Sequence, residues 1–148
     1  MQNDDVFLSM RRAMEEASER LFFRELIDVN SKPSDQVFRS GDYQVILKVT
    51  NPFKGQIQLF FPKDSAAQLV TEMLGEPVNE IEKIKDGLAE FGNTFGGLFF
   101  KNFLRSNGAY QMGLPECRQM ENKKAVSLDR VWVFDLDDVN IYAGIQKE

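Results

Sequence analysis

Three polar residues in the middle of the chain have the types and spacing of a candidate functional site. Asp86, Glu90 and Asn93 follow one another at intervals of four and three residues within the segment IKDGLAEFGNTFGGLFF. With about 100° of rotation per residue, a helix places them on one outward face together with Gly97. The chain contains no histidine, so any catalysis must use carboxylate, amide or lysine groups rather than an imidazole.

The simplest alternative is that Asp86 and Glu90 only solvate the outer face of an amphipathic helix. Asn93 and four glycines argue against it, because each disfavours a helix by about 0.5–1 kcal/mol relative to alanine. Gly97, one turn after Asn93, would leave a gap through which another protein could approach that amide. The other three glycines are predicted to allow close helix packing: Gly87, Gly92 and Gly96.

The composition limits the classes of function. The chain has 148 residues, 43% hydrophobic and 28% charged, which predicts one globular domain over residues 1–148. A net charge of −5 disfavours nucleic acid binding, because phosphate contacts need a concentrated Lys/Arg surface. Cys117 is the single cysteine, which excludes an internal disulfide and a Cys-rich metal cage. The charged N-terminus and the lack of a long apolar run predict a cytoplasmic protein that is neither secreted nor membrane-spanning.

Hydrophobic periodicity places the candidate site on an α+β domain. Residues 4–28 and residues 79–106 have helical spacing, with a shorter helix between them. Residues 36–62 and 132–145 alternate as two β-hairpins, the second turning at Asp137-Asp138. This order predicts a mostly antiparallel sheet with helices packed on one face. The core-facing stripe of the long helix is predicted to contain Ile81, Leu88 and Phe95.

The polar residues of this helix resemble the motif of a known family, the CheC, CheX and flagellar FliY phosphatases. That motif is an acidic residue or Ser, three residues, Glu, two residues and Asn, then a Pro about twenty-two positions on; Asp86, Glu90, Asn93 and Pro115 match it. The family's N-x-x-x-G is present as Asn93 and Gly97. The single-domain length and the order of elements are similar to CheX over essentially the whole chain. One active helix is typical of CheX rather than of CheC.

The resemblance implies a phosphatase that hydrolyses the phospho-aspartate of a CheY-like response-regulator receiver domain, in chemotaxis or two-component signalling. Asn93 would orient the attacking water, and Glu90 would anchor the receiver through its lysine. Asp86 and Gly97 would contact the substrate protein, unless Asp86 is merely solvated. Pro115 would be structural rather than catalytic. The resemblance also implies a homodimer and a chain that binds no cofactor or metal, with Mg²⁺ supplied by the receiver.

A degenerate internal repeat is a further expectation. Counting back 82 positions from the four motif residues gives Asp4, Leu8, Arg11 and Pro33. Two of these four match the motif, as though an ancestral repeat had kept its frame and lost its Glu and Asn. The repeat would make the domain a CheC/CheX-like pseudo-repeat with one active half.

Two other functions remain open on the sequence. A non-catalytic receiver-binding module, like the flagellar-switch proteins that share the fold, would bind a receiver without hydrolysing its phosphate. A metal-dependent hydrolase could use the carboxylates of Asp135, Asp137 and Asp138, since hard cations favour clustered oxygen ligands. The position of Asp137 and Asp138 at a predicted hairpin turn gives these residues an alternative role in local hydrogen bonding.

Overall fold

The computed structural model describes residues 3–32, 35–104, 108–121 and 124–148, which form helices on one side of a β-sheet. Helix α1 spans Asn3–Ala17 and continues into one π-helical turn, Ser18–Phe22; α2 spans Lys63–Leu74 and α3 spans Ile81–Leu104. No helix in these ranges is long and apolar enough to cross a membrane. The strands are β1 (Asp28–Lys32), β2 (Asp35–Phe38), β3 (Tyr43–Asn51), β4 (Gly55–Phe61), β5 (Gln111–Met112), β6 (Glu116–Gln119), β7 (Lys124–Ser127), β8 (Arg130–Asp135) and β9 (Asn140–Lys147).

Seven of these strands form one antiparallel sheet in the order β1-β8-β9-β4-β3-β5, with β6 also paired to β3. Strands β2 and β7 form a separate two-stranded ribbon. Alternate residues of the strands turn towards the helices, and Val45, Leu47 and Val49 of β3 are accordingly buried beneath them. The structure confirms the predicted α+β fold, a mostly antiparallel sheet with its helices on one face.

Both predicted hairpins are present. Strand β3 pairs with β4 from Tyr43↔Phe61 to Val49↔Gly55, and β8 pairs with β9. The second hairpin turns at Asp137-Asp138, whose φ angles of 65° and 67° are the left-handed values that a tight two-residue hairpin turn requires. Aspartate tolerates this conformation better than most residues, which explains the pair at this position.

The chain contains an internal repeat at the level of topology. Each half has a helix, an edge strand, a ribbon strand and a hairpin, so that β1, β2, β3 and β4 correspond to β6, β7, β8 and β9. The strand pairings agree with this correspondence. Strand β1 pairs with β8 as its counterpart β6 pairs with β3, and the central pair joins β4 to its own counterpart, β9. The strands repeat at a different spacing from the 82 positions counted between the motif residues, since β1, β2 and β3 begin 88, 89 and 87 positions before β6, β7 and β8. Pro33, one of the proposed repeat positions, lies outside the described residues.

The first helix ends before the limit predicted from residues 4–28. Its last turn, Ser18–Phe22, is π-helical, and Phe23 then adopts φ 56° and donates its N–H to the first carbonyl of that turn. The Arg24 guanidinium donates two hydrogen bonds to the Glu72 carboxylate, at 2.9 and 3.0 Å. These contacts direct the chain into β1, an edge strand with a mostly polar sequence that carries no strong strand pattern.

Close contact between α3 and the sheet depends on glycine. A Cβ atom on Gly92 would lie 2.6 Å from Cγ1 of Val45 on β3, well inside the contact distance of two carbon atoms. The helix could not approach the strand this closely with any side chain at that position. Two more glycines would bring a Cβ to the same 2.6 Å: Gly87 against Val70 of α2, and Gly96 against Met112 of β5. The structure confirms the packing role predicted for all three.

The Gly92 contact predicts an unequal response to two alanine substitutions in the same helix. Gly92→Ala and Gly97→Ala gain the same helix propensity, but a Cβ on Gly97 would meet only the Tyr110 hydroxyl, at an ordinary 3.6 Å. We expect Gly92→Ala to be less stable than Gly97→Ala by about 2 kcal/mol, the usual cost of overpacking. Urea unfolding followed by circular dichroism measures this difference, and equal midpoints would contradict the packing argument.

Candidate phosphatase helix

The polar face of α3 points away from the core, as predicted. Asp86, Glu90 and Asn93 are all exposed. Steps of four and three residues keep them within an arc of about 60° around the helix axis. The remaining faces of α3 supply ten buried residues to the core, so the three polar side chains occupy its one solvent-facing stripe.

The predicted core stripe of this helix is correct except at its start. Leu88 and Phe95 are fully buried, whereas Ile81 is 50% exposed. Ile81 is the first residue of α3, and the helix makes its first core contact three residues later, at Ile84. The first turn therefore lies at the margin of the core, and half of the Ile81 side chain stays exposed.

Aromatic packing fixes the rotation of α3 about its own axis. The Phe91 ring stacks on Phe22 of the π-helical turn, with centroids 4.3 Å apart, and meets Phe61 of β4 edge-on at 5.8 Å. Phe91 lies between Glu90 and Asn93 in sequence, and all three rings are almost completely buried. Rotation of the helix would break both ring contacts, so the orientation of the two polar side chains is set by the core.

The polar side chains of the stripe are available to a partner. Within the described ranges, no side chain forms a hydrogen bond or an ion pair with Asp86, Glu90 or Asn93. The nearby Lys85 pairs with Glu82 instead, at 3.6 Å. The carboxylates and the amide therefore keep their hydrogen-bonding capacity for a molecule outside the chain.

The far end of the stripe is bordered by an aromatic residue that the sequence did not single out. Gly97 is half-buried, and the Tyr110 hydroxyl lies 3.6 Å from the position its Cβ would occupy. The Tyr110 ring stacks on Phe100, one turn along α3, with centroids 4.8 Å apart. Tyr110 therefore borders the surface at Gly97, where the sequence predicts a gap.

Cys117 lies beside the stripe on β6 but is not an activated thiol. It is half-buried opposite Val45, and this burial raises its pKa to about 12. The carboxylate of Asp86 also raises the pKa, while the ammonium of Lys85 lowers it by less than burial raises it. The thiol is therefore protonated at neutral pH.

The three aspartates considered as metal ligands serve the second hairpin. The Asp135 carboxylate accepts a hydrogen bond from the Asp137 backbone N–H at 2.9 Å, and Asp137 and Asp138 form the turn itself. No group of three or more Cys, Asp or Glu residues in the described parts of the chain could hold a metal ion. The local hydrogen bond and the turn geometry account for these residues without a cation.

The face of α1 that corresponds to the polar stripe of α3 has side chains of other types. Leu8 and Arg11, the positions matched to Glu90 and Asn93 by the spacing of 82, are both exposed on α1. A leucine and an arginine provide neither the carboxylate nor the neutral amide of α3. Of these matched positions, only those on α3 carry the complete pair.

A comparison with protein families identifies the chain. The family model described as chemotaxis phosphatase CheX matches residues 43–134, more than half of the chain, including all of α3. The chain belongs to the CheX family of chemotaxis phosphatases. The match covers both strands of the first hairpin and extends into β8. No curated protein sequence matches the chain closely enough to count as a relative.

Solved structures of CheX, CheC-like and FliY proteins share the fold at low sequence identity. The CheX protein of Desulfovibrio desulfuricans is 18% identical, with a TM-score of 0.80 over 97% of this chain and 99% of its own. The CheX–CheY–BeF3–Mg²⁺ complex from Borrelia burgdorferi matches with 16% identity and a TM-score of 0.73, over 96% of this chain and 98% of the other. FliY of Thermotoga maritima is 13% identical, with a TM-score of 0.68 over 99% and 91% of the two chains.

The raised pKa of Cys117 predicts slow labelling of the folded protein. At pH 8 the thiolate is the reactive species, and a pKa of about 12 leaves almost none of it. We expect the thiol reagent DTNB to react at least about tenfold more slowly with the folded protein than with the same protein unfolded in urea, where an ordinary thiol pKa returns. Equal labelling rates in the two states would show that the thiol is accessible and activated.

Proposed function

We propose that this CheX-family chain hydrolyses the phospho-aspartate of a CheY-like receiver domain docked on α3, with Asn93 and Glu90 as the working residues. The observation that carries the proposal is the exposure of Glu90 and Asn93 side by side, without partners in the described chain, on a helix whose rotation is fixed by its core. Family membership supports phosphatase activity. The Borrelia complex provides a case in which a CheX is bound to CheY.

Asn93 is proposed to position the nucleophilic water. Its amide N–H can donate to one oxygen while its carbonyl accepts a hydrogen bond from the water, which holds that water in line with the phosphorus atom. An amide does not ionise, so it adds no negative charge beside the phosphoryl oxygens, as a carboxylate would. Its contribution is therefore orientation, as for the water-positioning glutamine of GTPases.

Glu90 is proposed to anchor the receiver through a lysine of that partner. The Glu90 carboxylate is exposed one turn from Asn93 and has no cation of its own to pair with in the described chain. A lysine brought up to it would form a charge-assisted hydrogen bond that strengthens as the interface excludes water. Asp86 and Gly97 extend the contact surface by one turn on either side, and the missing side chain of Gly97 leaves room for the approaching partner.

The remaining parts of the proposal concern the partner and the assembly. We assign the magnesium ion to the receiver, since the described residues of this chain offer no metal cluster and the Borrelia complex contains both CheY and Mg²⁺. A homodimer stays a prediction from the family resemblance. The outer edge of β1 is one surface through which sheets of two copies could pair. Sedimentation analysis of the purified protein tests the dimer.

A non-catalytic receiver-binding module is the second candidate. One fold can carry either a catalytic or a purely binding function, so the architecture is compatible with binding alone. The presence of both Glu90 and Asn93 on the exposed stripe favours the enzyme, because binding by itself does not require a water-positioning amide. Acceleration of receiver dephosphorylation separates the two functions directly.

Substitution of Asn93 tests the catalytic proposal. We expect Asn93→Ala and Asn93→Asp to reduce the acceleration of phospho-receiver decay by about 100-fold or more, the usual cost of removing an oriented catalytic hydrogen-bonding group. Alanine favours the helix more than asparagine does, so loss of folding is not expected to contribute. The assay measures phosphate release from a panel of phosphorylated CheY-like receivers. Asn140→Ala, which removes an exposed amide at the start of β9, is the control and should keep full activity.

Substitution of Glu90 tests the anchoring role. Glu90→Gln removes the charge but keeps the shape, so we expect KM for the phospho-receiver to rise about tenfold while kcat changes little. The matched control is Glu25→Gln, an exposed carboxylate near the opposite sheet edge. A fall in kcat with unchanged KM would contradict the assignment and would place Glu90 in the chemical step.

A further inference from the structure

The most exposed large apolar side chain in the described chain lies beside the candidate site. Leu114 is 88% exposed, and Tyr110, four residues earlier, is 42% exposed. Leu114 occupies the short loop that joins β5 to β6 at the outer edge of the sheet. A leucine almost wholly in water contributes nothing to folding, so its position and surroundings decide whether it has another role.

The strand register places Leu114 next to the turn of α3 that carries Asn93. Met112, two residues before it, lies under Gly96, and Cys117, three residues after it, pairs with Val45, the residue under Gly92. The loop between them therefore runs alongside the helical turn from Gly92 to Gly96. Asn93 is the exposed residue of that turn, so the apolar loop borders the polar stripe at its catalytic end.

The loop is held in place rather than free to move. Gly113 N–H donates to the Lys48 carbonyl at 2.8 Å, which ties the residue before Leu114 to β3. Pro115 follows with its fixed backbone angle, and Glu116 then pairs with Ile46 as β6 begins. An exposed apolar group that is already ordered loses little conformational entropy when a partner covers it, which is the property of a good binding anchor.

We propose that Leu114 is an apolar anchor that packs against the receiver domain docked on α3. This inference rests on the proposed function and adds the residue that supplies affinity. The net charge of −5 gives the chain no long-range attraction for a receiver that is itself acidic, and binding of such a receiver must come from local contacts. Leu114 adds apolar contact where α3 itself offers polar groups and a glycine. Pro115 acts through it, as a positioning residue that holds the anchor.

The anchor is tested by comparing two exposed aliphatic residues in equivalent places. Ile27 immediately precedes β1, the opposite edge strand and the repeat counterpart of β6, and it is 57% exposed. The probe is the CheY-like receiver that the wild-type protein dephosphorylates, in its beryllofluoride form, in which BeF3 stands in for the phosphoryl group. We expect Leu114→Ala to weaken binding of this probe and to raise KM about tenfold with kcat nearly unchanged. Leu114→Met should restore binding, and Ile27→Ala should bind like wild type.

Each outcome separates the anchor from the phosphatase. If Leu114→Ala binds like wild type while Asn93→Ala loses activity, the anchor is wrong and the proposed function stands. If Ile27→Ala weakens binding as much as Leu114→Ala does, apolar exposure in general matters and the assignment to this loop is wrong. If the wild-type protein accelerates the decay of no receiver, the proposed function fails and the anchor fails with it. Urea unfolding of each variant checks that these surface substitutions leave stability unchanged.

Discussion

The close contact between α3 and its neighbours is the constraint on which the rest of the structure depends. Glycine at positions 87, 92 and 96 removes the side chains that would hold this helix away from α2, β3 and β5. Each glycine costs helix stability relative to alanine, and the cost is offset by apolar surface buried on both sides of the helix. A helix seated so closely cannot tilt or turn without moving the sheet. Its outward face therefore behaves as part of the rigid core.

That rigidity matters because the proposed chemistry depends on position rather than on an unusual acid or base. An amide that orients water is effective only if it is held within a fraction of an ångström of the correct place. The cluster of Phe22, Phe61 and Phe91, on the core side of α3, provides this positioning from inside the domain. A chain without histidine can carry out such chemistry if its core holds the amide rigidly, and the buried phenylalanines supply that rigidity.

The sequence predicts those parts of the fold and of the candidate site that depend on residues close together in the chain. The spacing of Asp86, Glu90 and Asn93 is a property of one long helix, and the two hairpins depend on alternation and turn residues that are close in the chain. The end of α1 could not be predicted in the same way. It depends on the bond from Arg24 to Glu72, 48 residues away. Leu114 and Tyr110 were missed for a related reason, because their place beside α3 follows from strand register rather than from any pattern of their own.

The repeated topology has a consequence for how a partner can meet this surface. Two helices related by the repeat lie on the same face of the sheet, and among their side chains that the structure describes, only those of α3 include an exposed carboxylate together with an exposed amide. If a receiver needs both the carboxylate and the amide, as proposed, each chain has one helix on which it can dock instead of two. The protein is expected to titrate its partner at a ratio of one to one. On the proposed function, the outer surface of α1 takes no part in turnover.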